Sequence, residues 1–323
     1  MSRHFLRRLT VVLVGLCLLW AAPLAVAKKP DPHPERPRLL FVPHDNRPIS
    51  DEQTADTLRM MEWDIAVPPD DILGGRGILG DPEAVWQWLE KEAPAAQIAV
   101  VSSDTLLYGS LVGSRKHDYS LAEIEKRLHR FQEFKRRHPS LQLYVFGSIM
   151  RTPRSAEASG GEEPGYYASY GSDIFRYTAL SDKKETEGLT RREKKEYEFL
   201  QKLIPQAALD DWMVRRDKNF KASQRLIELA REGLFSYLAL GRDDNAPYSQ
   251  THMESRKLQE AGQDLGPARF QAMAGIDEFG LMMLTRAVND WTRTVPFVYV
   301  KYNWGRGGDT VPTYSDEKIS DTI

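Results

Sequence analysis

The chain has 323 residues, of which 41% are hydrophobic and 28% are charged, and 44 Lys and Arg residues stand against 46 Asp and Glu residues. A formal net charge of -2 lacks the basic surplus that binding to nucleic acid phosphates requires, and the apolar content is too high for a disordered chain. The single cysteine excludes a disulfide-stapled scaffold. The composition therefore predicts a globular protein, and its length allows one large domain or two modest ones.

The first 27 residues have the pattern of a secretory signal peptide. Three arginines lie among the first eight residues, an apolar run spans 9–24, and Ala25-Val26-Ala27 matches the small-x-small cleavage pattern. The alternative is an uncleaved membrane anchor, because the apolar run is nearly long enough to span a bilayer. Cleavage would remove Cys17, which suits an oxidising compartment. We expect a periplasmic or extracellular protein without stable membrane insertion after cleavage, beginning with a proline-rich linker over 28–37.

A repeating rhythm of short apolar runs and charged helical stretches begins at Arg38. This rhythm is typical of βα units and a parallel sheet. The apolar run within Gln97–Ser102 is continuous rather than alternating, as expected for a strand that is buried on both faces. The predicted strands are Leu39–Pro43, Trp63–Val67, Gln97–Ser102, Gln142–Ser148, Phe235–Gly241, Phe270–Ala274 and Val295–Tyr302.

Capping signals predict helices between these strands. Ser120 and Glu123 form a capping box, which opens a helix through Arg137. Further helices are predicted over 50–61, from Asp81, over 277–291 and from Ser315. Because eight βα units close a barrel, seven units predict an α/β fold of the (β/α)8 TIM-barrel-like class that is incomplete by one strand. A missing strand leaves an open sheet edge. Either a partner chain covers this edge or the gene product is shortened.

Residues 152–230 are far longer than a normal connection between a strand and the next helix. The stretch begins rich in glycine and aromatic residues, becomes dense in both charges, and ends in a long helical pattern. We interpret it as a helical insertion after the fourth strand of a barrel-like domain that spans 38–323. Its tyrosines and phenylalanine over 166–177 are equally consistent with a lid and with local packing.

Polar side chains follow the predicted strands at their carboxyl ends. In parallel α/β folds the loops that leave these ends converge on one crevice, where ligands bind. Asp277 is also placed to cap the next helix, and Asp45 and Arg47 could form a structural ion pair. The candidate residues at these ends are Asp45, Arg47, Asp104, Tyr108, Arg151, Asp243, Asp244, Asp277, Glu278, Asn303 and Trp304.

Adjacent carboxylates at Asp243 and Asp244 predict catalysis, because two such charges repel and need donors, cations or a shared proton. Glycoside hydrolysis uses carboxyl groups in this way: one protonates the leaving oxygen and another acts as nucleophile, base or orienting group. We therefore assign Asp243, Asp244 and Glu278 as catalytic, and the remaining candidates as substrate-binding, with aromatic rings such as Tyr108 and Trp304 stacking on the sugar. The alternative is a non-catalytic periplasmic protein that binds carbohydrate in the same pocket.

No cofactor or metal is predicted for this site. A calcium or magnesium site made of aspartate oxygens stays open as an alternative, although the chain has no loop signature for it. His44 and His252 are the only well-placed histidines, and the chain has no H-E-x-x-H zinc motif. It also has no G-x-S-x-G nucleophile elbow, and its glycine runs do not follow the dinucleotide pattern. The sequence therefore favours a hydrolase that works with carboxyl groups on a carbohydrate or another small molecule.

The motifs at the strand ends resemble a bacterial family known as domain of unknown function 4127 (DUF4127). The chain departs from the family pattern at His44 and Ile276, and neither difference touches an acid. The resemblance implies no established activity. Members are typically much longer, so it also implies a chain that is shortened at the C-terminus, and a truncated inactive member is a third possibility. The segments that carry the resemblance are Phe41–Pro48, Ser102–Gly109, Gly241–Pro247, Gly275–Glu278 and Val311–Asp316.

Overall fold

The computed structural model describes residues 36–322 apart from 76, 158–159, 244, 304 and 314. The predicted signal peptide and most of the predicted linker lie outside the described residues. Within the described part of the chain, no helix is both long enough and apolar enough to cross a membrane.

Six parallel strands form one sheet. Their bounds are β1 Leu39–Val42, β2 Ile65–Ala66, β3 Ile98–Ser102, β4 Gln142–Ile149, β5 Tyr237–Arg242 and β6 Phe270–Ala274. The order across the sheet is β2-β1-β3-β4-β5-β6. Leu39 therefore lies opposite Ile65 on one side and opposite Ile98 on the other. The predicted α/β class and parallel sheet are confirmed.

The predicted barrel is not confirmed, because the sheet is not closed. Within the described residues, β2 and β6 are its two edges. A (β/α)8 barrel places β2 between β1 and β3, whereas here β1 lies between β2 and β3 and the winding direction reverses. The predicted seventh strand, 295–302, is irregular, and Val295 is 92% exposed. Its β-branched and aromatic residues favour a strand, but strand propensity depends on a neighbour to pack against.

Helices cover both faces of the sheet. Their bounds are α1 Glu52–Met60, α2 Pro82–Glu92, α3 Ser103–Tyr108, α4 Leu111–Lys116, α5 Leu121–Arg137, α6 Tyr167–Thr186, α7 Arg191–Leu203, α8 Gln206–Arg231, α9 Gln250–Gly262, α10 Phe279–Thr292 and α11 Ile319–Thr322. Short 3-10 turns occur at Ala93–Ala95, Gln263–Leu265 and Gly307–Asp309.

The apolar core is divided between the two faces because successive strand residues point to opposite sides. On one face, Leu40 and Val101 belong to a cluster with α2, α5, α8 and α9. On the other face, Leu39 and Phe41 belong to a cluster with α1 and α10. The result is a three-layer arrangement with the sheet in the middle.

Three helices, α6 to α8, occupy most of the stretch between β4 and β5. They share a cluster of their own, in which Tyr167 packs on Trp212 with ring centroids 5.0 Å apart. The Tyr167 hydroxyl donates to the carbonyl of Pro153 at 2.6 Å. Tyr177 stacks on Tyr197 at 4.9 Å. The contacts of Tyr167 and Tyr177 are therefore those of local packing.

Candidate functional site

The winding direction of the sheet reverses between β1 and β3. In open α/β sheets, ligands bind outside these ends at the point where the strand order reverses. β1 ends at Val42 and β3 ends at Ser102, so Asp45 and Asp104 follow the two strands that flank this point. The carboxyl ends of β4, β5 and β6 supply the other side chains.

Asp45, Arg47 and Asp277 form a chain of ion pairs that joins the end of β1 to the start of α10. The buried Asp45 carboxylate accepts from the Arg47 backbone N–H at 3.1 Å and from its Nε at 2.8 Å. Arg47 Nη2 donates to Asp277 Oδ1 at 3.1 Å. Burial alone would lower the pKa of Arg47, but the two carboxylates outweigh it and raise the pKa. Asp277 thus contacts Arg47, and α10 begins at Phe279 after Glu278 with no side-chain cap.

His44 is buried beside these ion pairs and is neutral at pH 7. Its Nε2 lies 2.9 Å from Ser50 Oγ and 3.4 Å from Arg47 Nη2. Burial lowers the pKa of His44 to about 4. Because Arg47 can only donate, Nε2 is the acceptor and the ring proton is on Nδ1. Nδ1 is buried and has no hydrogen-bond partner within the described part of the chain.

Two buried arginines are surrounded by carboxylates in a group that we call the arginine–carboxylate cluster: Arg115, Arg151, Glu162, Glu163 and Asp243. Arg115 donates to Glu162 at 2.8 Å and to Asp243 at 3.2 Å. Arg151 donates to Glu163 at 2.8 Å and to Glu162 at 3.2 Å, and its Nη1 lies 3.8 Å from Asp243. Burial raises the pKa of Glu163. The Asp243 side chain is 26% exposed and is the open end of the cluster.

Local backbone geometry explains how Arg115 reaches the cluster. Gly109 ends α3 with a φ of 94°, a left-handed conformation that glycine adopts without strain. A Cβ there would also lie 2.6 Å from the carbonyl oxygen of Gly80. Ser110 then caps α4 by accepting from the Gly113 N–H at 2.9 Å. This sharp turn between two short helices directs Arg115 back toward the strand ends.

Asp104 is buried and interacts electrostatically with a member of each group, Asp45 and Arg115. Its Oδ2 accepts from the Ser148 N–H at 2.8 Å. Burial raises the pKa of Asp104 to about 7, while Arg115 opposes this shift and Asp45 adds to it. Asp104 can therefore hold a proton near neutral pH, which a general acid requires.

The raised pKa of Asp104 predicts a specific pH dependence of stability. Between its ordinary pKa of 3.8 and about 7, folded Asp104 keeps a proton that the unfolded chain has released. Stability should therefore fall as pH rises through this window, by up to about 1.4 kcal/mol per pH unit. Asp104→Asn should remove this contribution in urea unfolding at pH 5, 6, 7 and 8.

His44 changes the stability with pH in the opposite direction to Asp104. The wild type and the Asp104→Asn variant must therefore be compared at each pH. Its lowered pKa means that the unfolded chain binds a proton between pH 6.5 and about 4 that the folded protein does not bind. The stability that neutral His44 contributes is therefore lost as pH falls, and this loss is the same in the wild type and in the Asp104→Asn variant. If the stability difference between the two proteins is constant from pH 5 to pH 8, Asp104 does not hold the proton.

The other predicted residues are less closely grouped. Tyr108 is buried and stacks on His117 at 4.6 Å, so one face of its ring is covered. Glu278 is exposed at the start of α10, and Asn303 is exposed in the irregular segment that follows. Asp244 and Trp304 lie outside the described residues. The structure thus joins Asp45, Arg47 and Asp277 in one group, and Arg151 and Asp243 in another.

Three members of the cluster are not among the residues predicted from the sequence: Arg115, Glu162 and Glu163. Arg115 falls after Leu111 and Val112 in a short helix with no strand-end signal. The two glutamates stand in the glycine-rich start of the insertion, where they precede Pro164. A pair of glutamates just before a helix of the insertion was the available signal, but only the tertiary structure shows that the arginines meet them.

Within the described residues, no group of three or more His, Cys, Asp or Glu side chains is arranged to hold a metal ion. The carboxylates of the cluster face guanidinium groups. This arrangement can position a polar ligand through hydrogen bonds and can exchange protons through its acids.

Comparison with known proteins identifies one related family. The sequence model of a family described as "Protein of unknown function (DUF4127)" matches residues 39–323. No curated protein and no solved structure matches the chain.

Proposed function

Because the chain belongs to DUF4127, a family of proteins of unknown function, we propose its activity from the site: it is a glycoside-hydrolase-like enzyme acting at the carboxyl ends of β1, β3, β4 and β5. One observation carries this proposal. A partly exposed carboxylate, Asp243, lies against two guanidinium groups, while a second acid, Asp104, is buried and has its pKa raised to about 7. Glycoside hydrolysis needs one protonated and one ionised carboxyl group.

In this proposal the two acids have different roles because their surroundings differ. Asp104 holds a proton that can be passed to the leaving oxygen of the glycoside. Asp243, compensated by Arg115 and Arg151, is the ionised carboxylate that faces the positive charge of the transition state. Asp244 and Glu278 keep the catalytic assignment that the sequence predicts for them.

Substrate binding is assigned to the charged groups around the acids. Arg47 and Arg151 hold polar or anionic substituents of the sugar. Export belongs to the same proposal, because the first 27 residues have a signal-peptide pattern and carbohydrate of the cell envelope or the surroundings would then be accessible. The intact mass of protein recovered outside the cytoplasm tests this part, since cleavage predicts a chain that begins at Lys28.

Hydrolysis of a panel of chromogenic aryl glycosides by the wild type and by Asp244→Asn tests the function. Turnover by the wild type that is lost in a variant still able to bind the sugar supports the enzyme. Binding of oligosaccharides without turnover, unchanged by the substitution, would identify a carbohydrate-binding protein instead. A folded chain that neither binds nor hydrolyses any member of the panel would refute both functions and favour an inactive family member.

A further inference from the structure

A carboxylate from the C-terminal segment reaches the end of β5. The Asp316 side chain is buried, and its Oδ1 accepts from Arg242 Nε at 3.3 Å. Its Oδ2 is hydrogen-bonded to His252 Nδ1. Arg242 is the last residue of β5 and directly precedes Asp243. The Arg242–Asp316–His252 chain therefore ends at the same edge of the sheet as the arginine–carboxylate cluster.

Backbone hydrogen bonds near His252 and near Asp316 hold the His252 imidazole in place. His252 is in the first turn of α9, where its N–H donates to Ser249 Oγ at 3.1 Å. The neighbouring Thr251 donates to the Met150 carbonyl at 2.9 Å, immediately before Arg151. On the other side, the Glu317 N–H donates to Ser315 Oγ at 3.2 Å and fixes the turn that carries Asp316.

The charges around Asp316 keep it ionised. Burial alone would raise the pKa of Asp316, but the hydrogen bond with His252 and the charge of Arg242 outweigh burial and lower the pKa. An ionised carboxylate accepts the Nδ1 proton of His252, so the lone pair of the neutral ring is on Nε2. The ring is 35% exposed, and Nε2 has no hydrogen-bond partner within the described residues.

We propose that His252 Nε2 is a proton-transfer group of the strand-end site and that Asp316 is its positioning residue. Nε2 takes a proton from a water molecule or a substrate hydroxyl, and the resulting imidazolium is stabilised by Asp316. The proton later leaves Nε2 for solvent, while Nδ1–H stays bonded to Asp316 throughout. The role in hydrolysis rests on the proposed function, whereas the reactivity of the ring does not.

Labelling of histidines by diethyl pyrocarbonate tests the reactivity without any substrate. The reagent acylates the unprotonated ring nitrogen and releases ethyl carbonate, and mass spectrometry of peptides gives the rate for each histidine. Although His129 is more exposed, at 61%, we expect His252 to react faster. His138, whose Nε2 is bonded to Glu90 at 3.2 Å, should react more slowly than both.

Asp316→Asn separates positioning from simple exposure. It should reduce the labelling rate of His252 to that of His129 or below. Asp309→Asn is the matched control, because Asp309 is an exposed carboxylate of the same segment, paired with Lys318, and should leave the rate unchanged. Equal labelling of His252 and His129 in the wild type would overturn the proposal. That comparison also decides the matter if Asp316→Asn does not fold.

Activity measurements keep this proposal distinct from the proposed function. If the wild type hydrolyses a glycoside, acylation of His252 should abolish turnover, and a bound sugar should slow the acylation. Full activity after acylation would overturn the role of His252 and leave the glycosidase intact. Fast, Asp316-dependent labelling in a protein that hydrolyses no glycoside would support the reactivity of His252 and overturn the glycosidase.

Discussion

Asp243→Asn should lower the rate of glycoside hydrolysis by about 100- to 1,000-fold, the range expected when one group that stabilises the charge of the transition state is removed. The substitution keeps the shape of the side chain but removes the negative charge that faces the substrate. Arg115 and Arg151 keep Glu162 and Glu163 as partners, so the fold should be retained. The measurement is kcat/KM on the best chromogenic glycoside, with urea unfolding alongside.

Asp217→Asn is the control for this experiment. Asp217 is an exposed carboxylate of α8 that pairs with Lys221 at 2.7 Å, and its loss should change neither activity nor stability measurably. Wild-type activity in Asp243→Asn would remove this residue from the chemistry. A loss of activity with an equal loss of folded protein would make its role structural.

Arg216→Met should destabilise the fold by about 3–5 kcal/mol, the cost of removing one partner from a buried ion pair. Arg216 is buried and donates to both oxygens of Glu254, at 2.9 and 2.6 Å. It also donates to the carbonyls of Met150 at 2.6 Å and Arg151 at 2.9 Å. The variant leaves a buried carboxylate and two carbonyls without this donor. Urea unfolding at constant pH measures the difference.

Arg176→Met is a closely matched comparison. Arg176 also donates to both oxygens of one glutamate, Glu196, at 2.7 and 2.9 Å, but this pair is on the surface of the α6–α7 hairpin. Its loss should cost about 0–1 kcal/mol. If the two substitutions cost the same, burial does not control the contribution of Arg216. Because Arg216 holds the backbone of Arg151, activity should fall with it.

Strand positions could be predicted from the sequence because each strand is a short apolar run between polar helices. The run Ile98–Ser102 is buried throughout, as its continuous pattern predicts. Strand order could not be predicted, because barrels and doubly wound sheets share the same alternation of strands and helices. The choice depends on the side of β1 on which the second strand pairs, and that is decided by packing. Residues 295–302 were predicted as a strand for the same reason. Their strand propensity is local, and it does not supply a neighbouring strand with which to pair.

Site residues could be predicted from the sequence only where a polar side chain comes directly after a strand. Asp45, Asp104 and Asp243 come after the ends of β1, β3 and β5, so the topology alone places them at one edge. Arg115 is different, because its burial depends on glutamates that arrive 47 positions later in the chain. The partner of Asp316 is likewise on another element, and nothing in the local sequence links it to His252.

Long sequence separation gives the site a consequence for biogenesis. Arg115 and Asp243 are 128 positions apart, and Arg47 and Asp277 are 230 positions apart. A chain emerging from the ribosome therefore carries Arg47 and Arg115 long before Asp277 and Asp243 are made. Closing such loops costs entropy that only the completed packing repays, so these contacts form late. Under the proposed function, a nascent or prematurely ended fragment would hold Asp45 and Asp104 yet remain inert, and activity would appear only after Asp277 has been made.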